Sequence, residues 1–295
     1  MPPVPFRHAS ILGVGLLGGS LGLALRHRGL ASRVTGFVRR AAAAAEVLAA
    51  GAVDDATTDL AAAVRGADLV VLCTPVAQIG ELARSLAPHL AAGTVVTDVG
   101  SVKAAVIGAA EGPVHAAGAH FVGSHPMAGG EKTGVGAARA DLFEGAVSLV
   151  TPTSATDPAA AEAVRQLWRG VGARVVDLDA DTHDALVART SHLPHVLAFA
   201  LARYVLDPAA SPLQRGLCAT GFRDTTRIAA GSPPMWRDIL LGNRAHVLAA
   251  LDGLGEQLAE LRTAVAAGDA AAVELFLTEA STRRSQWSGP RTSAD

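Results

Sequence analysis

An α/β domain built on a doubly wound sheet, followed by an all-helical C-terminal half, is the fold class this sequence predicts, on three observations. Short β-rich runs alternate with alanine-rich helical stretches through about residue 180. A Gly-x-Gly-x-x-Gly run, Gly13-Val14-Gly15-Leu16-Leu17-Gly18, follows the first strand-like segment and opens the first helical one. Beyond Asp181 the β-branched runs thin out and long helical patterns take over.

Apolar and β-branched runs place strands at residues 9–12, 33–37, 68–73, 94–99, 120–123, 148–150 and 174–178. The third, around Leu69-Val70-Val71-Leu72-Cys73, is apolar throughout, as a strand covered on both faces must be. Between the strands, helices are expected to open at Gly18, at Arg40 with its alanine run, at Val76, at Val102 and at Asp157. In the second half, Asp181 or Thr182 is expected to cap a helix reaching about Val205, with further helices from Leu213, Pro233 and Arg244. The last is amphipathic to Arg283, interrupted by Gly253, Gly255 and Gly268. The chain thus divides into a dinucleotide-binding unit at 1–180, a helical unit at 181–283 and a tail at 284–295 expected to be disordered.

With 295 residues, half of them hydrophobic, the chain is long enough to bury a large core. Its 25 Lys and Arg against 27 Asp and Glu give a net charge of −2, no electrostatic footprint for a polyanion, so nucleic acid is not an expected partner. No apolar run approaches the ~20 residues of a membrane helix. The start, Met1-Pro2-Pro3-Val4-Pro5, leads into the first strand without signal-peptide features, and the two cysteines, Cys73 and Cys218, are far apart. Both features point to a reducing cytoplasm.

The glycine run implies a Rossmann-type nucleotide site. Gly13 permits the tight turn, Gly15 lets the backbone approach a pyrophosphate, and Gly18 lets the helix pack closely on the strand. The second strand ends Phe37-Val38-Arg39-Arg40 and lacks the acidic residue that normally binds the ribose hydroxyls of NAD. With Val38 in that place, Arg39 and Arg40 are positioned to pair with a 2′-phosphate, which predicts NADP, with NAD still possible. The bland reading is a solvated helix start.

Three segments carry polar residues where sheet enzymes keep their chemistry. In Asp98-Val99-Gly100-Ser101-Val102-Lys103, Ser101 suits a helix cap or a substrate hydrogen bond. In Gly123-Ser124-His125-Pro126, read as a loop after a short strand, His125 suits either a general base or a structural histidine. In the helical half, His192 and His195 share a helix face around Pro194, without a third ligand to suggest a metal. Asp224 and Arg227 suit a surface ion pair or a carboxylate clamp.

Together these segments, with Cys73-Thr74-Pro75, Met127-Ala128-Gly129 and Met235-Trp236-Arg237-Asp238-Ile239, resemble the prephenate and arogenate dehydrogenase family of tyrosine biosynthesis over nearly the whole chain. The resemblance implies oxidative decarboxylation of prephenate or arogenate, with electrons passing to a nicotinamide. It also implies a dimer joined through the helical half, where the substrate site is completed. It makes His125 the catalytic histidine at the ring C4 hydroxyl, with Ser101 holding that hydroxyl or orienting His125. Arg227 becomes the carboxylate ligand and His195 a second substrate-side histidine, with Asp224 and Glu131 near the entrance and Trp236 lining the pocket. Leu16, Leu17, Thr74 and Pro75 join the cofactor set beside Gly13, Gly15, Gly18, Val38, Arg39 and Arg40.

One departure stands out. The family commonly carries a hydroxylic residue before the loop glutamate, and here Gly130 precedes Glu131. The missing hydroxyl bears on how the substrate side chain is read, which separates a keto acid from an amino acid. A chorismate mutase segment and an ACT-type regulatory domain, fused in some relatives, are not expected here. Other readings remain: a 4-amino-4-deoxyprephenate dehydrogenase, a non-catalytic NADP-binding sensor, or a β-hydroxyacid dehydrogenase. The last relies on a lysine in the helical half, whereas Lys103 and Lys132 are the only lysines.

Overall fold

The computed structural model describes residues 6–130, 132–209 and 211–287. The first strands and helices are β1 (Ala9–Leu12), α1 (Leu16–His27), β2 (Val34–Phe37), α2 (Ala41–Ala49), β3 (Asp55–Thr57) and α3 (Leu60–Val64). They are followed by β4 (Leu69–Leu72), α4 (Val76–Leu86), β5 (Val95–Asp98), α5 (Ala104–Ala116) and β6 (His120–Pro126). The sheet ends with β7 (Val147–Thr151), α6 (Pro158–Gly170) and β8 (Arg174–Asp177). Among the described residues these strands form one sheet in the order β3-β2-β1-β4-β5-β6-β7-β8. All neighbours are parallel except β6 and β7.

The sheet winds outward from β1 to β3, then returns to start again at β4 on the other side of β1. That reversal leaves a crevice at the carboxyl ends of β1 and β4, where sheets of this kind bind ligands. Successive side chains alternate across the sheet: Ile11 packs with Leu21, Leu25 and Trp168 on one face, and Leu12 with Leu72, Ile79 and Phe121 on the other. Each such side chain contributes about 1.5–3 kcal/mol on burial.

The helical half comprises α7 (Ala180–Val187), α8 (Leu193–Val205), α9 (Pro212–Gly216), α10 (Thr220–Thr226), α11 (Pro233–Gly242), α12 (Arg244–Ala267) and α13 (Ala270–Gln286). Among the described residues its buried apolar contacts centre on Trp236 and Ile239 against Val102, and on Ala188, Val247 and Ala250. No helix among the described residues is long and apolar enough to cross a membrane.

Several elements differ from the sequence expectation for local reasons. The sequence predicts neither β3 nor α3, because a three-residue strand, Asp-Ala-Thr, has no periodic signature and a five-residue helix is too short to show one. Asp59 caps α3 by accepting from the amides of Ala61 and Ala62. Helix α1 opens at Leu16 rather than Gly18, and α5 at Ala104 rather than Val102. Asp179, not Asp181 or Thr182, caps α7, its carboxylate accepting from Thr182 N at 2.9 Å.

The helix expected to run to Val205 is broken by a π-type turn over Ala188–His192. The long terminal helix divides at Gly268, whose φ of +66° suits a left-handed C-cap, and Asp269 caps α13. Helix α13 continues to Gln286, into the segment expected to be disordered, and Arg284 lies over the Trp287 ring at 5.1 Å. The rest of that expected tail, 288–295, lies outside the described residues. Strand β6 runs through Pro126, so His125 sits on a strand rather than in a loop.

Candidate active site

The nucleotide end of the site is built from backbone. Gly13 has φ +102°, and a Cβ there would lie 2.6 Å from the Cys73 carbonyl oxygen; at Gly18 it would lie 2.1 Å from that of Gly13. A Cβ on Gly15 would meet nothing within 4 Å, so this backbone faces open space at the start of α1, which carries no side-chain cap bond. Leu16 and Leu17 form the first turn of that helix.

Across the crevice, Thr74 and Pro75 lead from β4 into α4, and the buried Thr74 hydroxyl oxygen has no protein partner. A cavity of about 610 Å³ is lined by Gly13, Gly15, Val38, Arg39, Arg40, Thr74 and Pro75, with Glu46 and Glu81 also on its wall. Unpaired amides at a helix start, an open glycine and an orphaned hydroxyl are the donor set that a pyrophosphate accepts, so a dinucleotide fits these residues. Val38 is buried and its amide donates to the Thr57 carbonyl at 3.0 Å, while the Arg39 and Arg40 side chains are exposed.

The other end is a chain of buried polar groups that crosses from the sheet to the helical half. His125 lies near the carboxyl end of β6, 7% exposed, and its Nδ1 is 2.9 Å from His183 Nε2. His183 Nδ1 is in turn 2.8 Å from Asp184 Oδ1. The Asp184 carboxylate also accepts from the amides of Lys103 (2.8 Å) and Ala104 (3.0 Å), at the start of α5. Asn243 Nδ2 donates to the Asp184 carbonyl at 2.7 Å.

Beneath His125 lies an ion pair, Lys103 with Asp98, with both side chains fully buried. Lys103 Nζ also donates to the Ser124 carbonyl at 2.7 Å. Asp98 accepts from the amides of Gly100 (2.8 Å) and Ser124 (3.1 Å). The Ser124 hydroxyl donates to the Asp98 carbonyl at 2.6 Å, and the Trp168 indole N–H donates to that hydroxyl at 3.0 Å. The residue preceding His125 is therefore tied down through both its backbone and its side chain.

These surroundings set the charges. Burial first, and the neighbouring His183, Lys103 and His192 after it, hold His125 well below the usual histidine range, so its imidazole is neutral at pH 7. Burial alone would raise Asp184, but its hydrogen bonds from His183, Lys103 N and Ala104 N outweigh that and keep it ionised. Burial likewise pulls Lys103 down, while Asp98 opposes the shift.

Trp236 gathers two histidines of the helical half. The His195 ring stacks on it at 3.7 Å between centroids, and the buried His192 meets it edge-on at 6.2 Å. His195 is held by the Ser191 carbonyl, 2.9 Å from its Nδ1. Burial first, and the nearby Arg227 charge after it, lower His195, and burial pushes His192 down to about 4. The Arg227 charge thus reaches His195, and Asp224 is exposed one turn earlier in the chain. Ser101 is half-buried in the turn that links Asp98 to Lys103. Glu131 lies outside the described residues.

Sequence reasoning missed His183, Asp184, Asn243 and the charge pair of Asp98 with Lys103. The adjacent Thr182-His183-Asp184 at a helix start was the available signal for the first two. Nothing local marks Lys103 as buried.

Comparison with known proteins extends over both halves. The model of the prephenate dehydrogenase nucleotide-binding domain matches residues 21–177, and that of the prephenate dehydrogenase dimerization domain matches 179–279. Prephenate dehydrogenase of Bacillus subtilis is 37% identical over 265 residues, covering 88% of this chain and 70% of that protein. Cyclohexadienyl dehydrogenase of Zymomonas mobilis is 36% identical over 269 residues, 90% of each. The crystal structure of prephenate dehydrogenase from A. aeolicus in complex with hydroxyphenyl propionate and NAD+ superposes with a TM-score of 0.89 at 32% identity, covering 95% of this chain and 98% of that one.

Proposed function

The chain belongs to the prephenate dehydrogenase family, and from that premise we propose that it oxidatively decarboxylates prephenate, arogenate or both, with NADP preferred over NAD. The observation that carries the chemistry is His125, buried and uncharged at the carboxyl edge of the sheet, with Nδ1 engaged by His183. Its Nε2 is then the atom left to take the proton of the ring C4 hydroxyl, with Ser101 holding that hydroxyl or orienting His125. When bound, the nicotinamide supplies the two-electron acceptor for the hydrogen leaving C4. Oxidation at C4 makes the ring carboxylate vinylogous to that of a β-keto acid, which loses carbon dioxide as the ring aromatises.

Arg227, whose charge acts on His195, supplies the cation for a substrate carboxylate, with Asp224 one turn earlier in the chain near the entrance. On the nucleotide side, the cavity wall of Gly13, Gly15, Thr74 and Pro75 would receive the pyrophosphate at the start of α1, where Leu16 and Leu17 form the first turn and Gly18 packs against Gly13. The NADP preference rests on Val38 where a carboxylate would repel a 2′-phosphate, and on Arg39 and Arg40 lining the same cavity.

Initial rates with prephenate and with arogenate, each with NADP and with NAD, test the reading. Turnover is expected with at least one acid. Arg39→Ala is expected to raise the KM for NADP about tenfold, the worth of one charge-assisted contact of roughly 1.4 kcal/mol, and to leave that for NAD nearly unchanged. Equal effects on both nucleotides would end the NADP assignment. Turnover confined to 4-amino-4-deoxyprephenate would replace the substrate, and none with any of the three would bring forward an NADP-binding sensor.

A homodimer joined through the helical half is part of the same reading. Tyr204 is 82% exposed and Leu213 and Leu217 are 72% exposed in the single chain, large side chains that a second copy would cover. Light scattering is expected to give twice the chain mass; the mass of one chain would contradict it.

A further inference from the structure

The hydrogen bonds behind His125 carry directional information beyond the assignment of a base. Two imidazoles and a carboxylate stand in series: Asp184 Oδ1 to His183 Nδ1 at 2.8 Å, and His183 Nε2 to His125 Nδ1 at 2.9 Å. Asp184 is ionised and holds no proton to donate, and both its oxygens already accept amide hydrogens from the start of α5. His183 Nδ1 must therefore carry the hydrogen of its bond to Asp184. In a neutral His183 that leaves Nε2 as a lone pair, which accepts from His125 Nδ1–H. In a neutral His125 the remaining nitrogen, Nε2, is then the lone pair.

We propose that His183 and Asp184 are positioning residues that fix the Nδ1–H tautomer of His125, so that Nε2 always faces the substrate as an acceptor. The proposal rests on the reading of His125 as the base and adds the groups that make it one. Without the pair, a neutral imidazole divides between two tautomers, of which one presents a hydrogen to the substrate hydroxyl and takes nothing from it. Once Nε2 has accepted the substrate proton, the imidazolium donates to His183 from Nδ1, and the Asp184 charge faces it through that ring. His183 itself, Lys103 and His192 disfavour the imidazolium at His125, and the Asp184 carboxylate, held against the far side of the His183 ring, is the negative charge in this series.

Two measurements test it. Nitrogen NMR of protein with isotope-labelled histidine reads the tautomers directly at neutral pH, with His125→Asn and His183→Phe used to assign the signals. His125 and His183 are both expected as Nδ1–H forms, and an Nε2–H form of His125 would overturn the proposal. Kinetically, His183→Phe is expected to lower kcat about 10²-fold, the low end of what a positioned base contributes, with KM nearly unchanged.

In a His125→Asn background the same change is expected to cost less than about twofold, because a residue acting only through another has no further effect once that residue is gone. Equal losses in both backgrounds would mark His183 as structural and overturn the proposal. If His183→Phe fails to fold, the wild-type tautomer decides alone. If His125→Asn turns over normally, the base reading falls while the spectra still decide the tautomer.

Discussion

His125→Asn is expected to lower kcat by about 10²- to 10⁴-fold, the range a well-placed general base supplies, while the KM values for substrate and nucleotide stay within a few-fold of wild type. Asparagine keeps a polar side chain at the end of β6 but has no lone pair basic enough to take the hydroxyl proton. The pH profile sharpens the test. Burial and the neighbouring His183, Lys103 and His192 lower His125, so its neutral form persists far into acid. Activity is therefore expected to hold from neutral pH downward and to fall only well below the ordinary histidine range, as His125 protonates. In the variant that acid limb should vanish. A His125→Asn enzyme with wild-type kcat, or an acid limb common to both proteins, would remove His125 from the chemistry.

Lys103→Met is expected to destabilise the fold by about 3–5 kcal/mol, the usual cost of leaving one partner of a buried ion pair uncompensated. Methionine fills a similar volume, so packing does not explain the loss. Lys103 and Asp98 are both fully buried, and Lys103 Nζ also holds the Ser124 carbonyl beside His125. Against a typical domain stability of about 5–15 kcal/mol this is a large fraction. The midpoint of chemical denaturation, at constant slope, measures it. A loss below about 1 kcal/mol would show that the amides of Gly100 and Ser124 suffice to hold Asp98 without the cation.

Much of the architecture is legible in the chain because its causes are local. The alternation of apolar runs with alanine-rich helices requires a sheet covered on both faces, and Ile11 and Leu12 do enter opposite cores. Gly13 and Gly18 mark themselves because no side chain fits where they stand, which is a constraint of a few neighbouring atoms. Where the local signal is weak, sequence and structure part, as in the short β3 and α3 and at the α7 cap, which is Asp179 two residues before Asp181.

The buried polar chain behind His125 is of another kind. The chain order Asp98, Lys103, Ser124, His125, His183, Asp184 and Asn243 says nothing of their adjacency, since the bonds among them reach up to 81 residues along the chain. Motif resemblance singled out His125 but not what stands behind it. Only when α7 packs against the start of α5 and the end of β6 do a carboxylate, two imidazoles and a buried ammonium come within hydrogen-bond reach. Burial then makes their charges and tautomers depend on one another, because with little water to screen or hydrogen-bond them, each group answers to its neighbours.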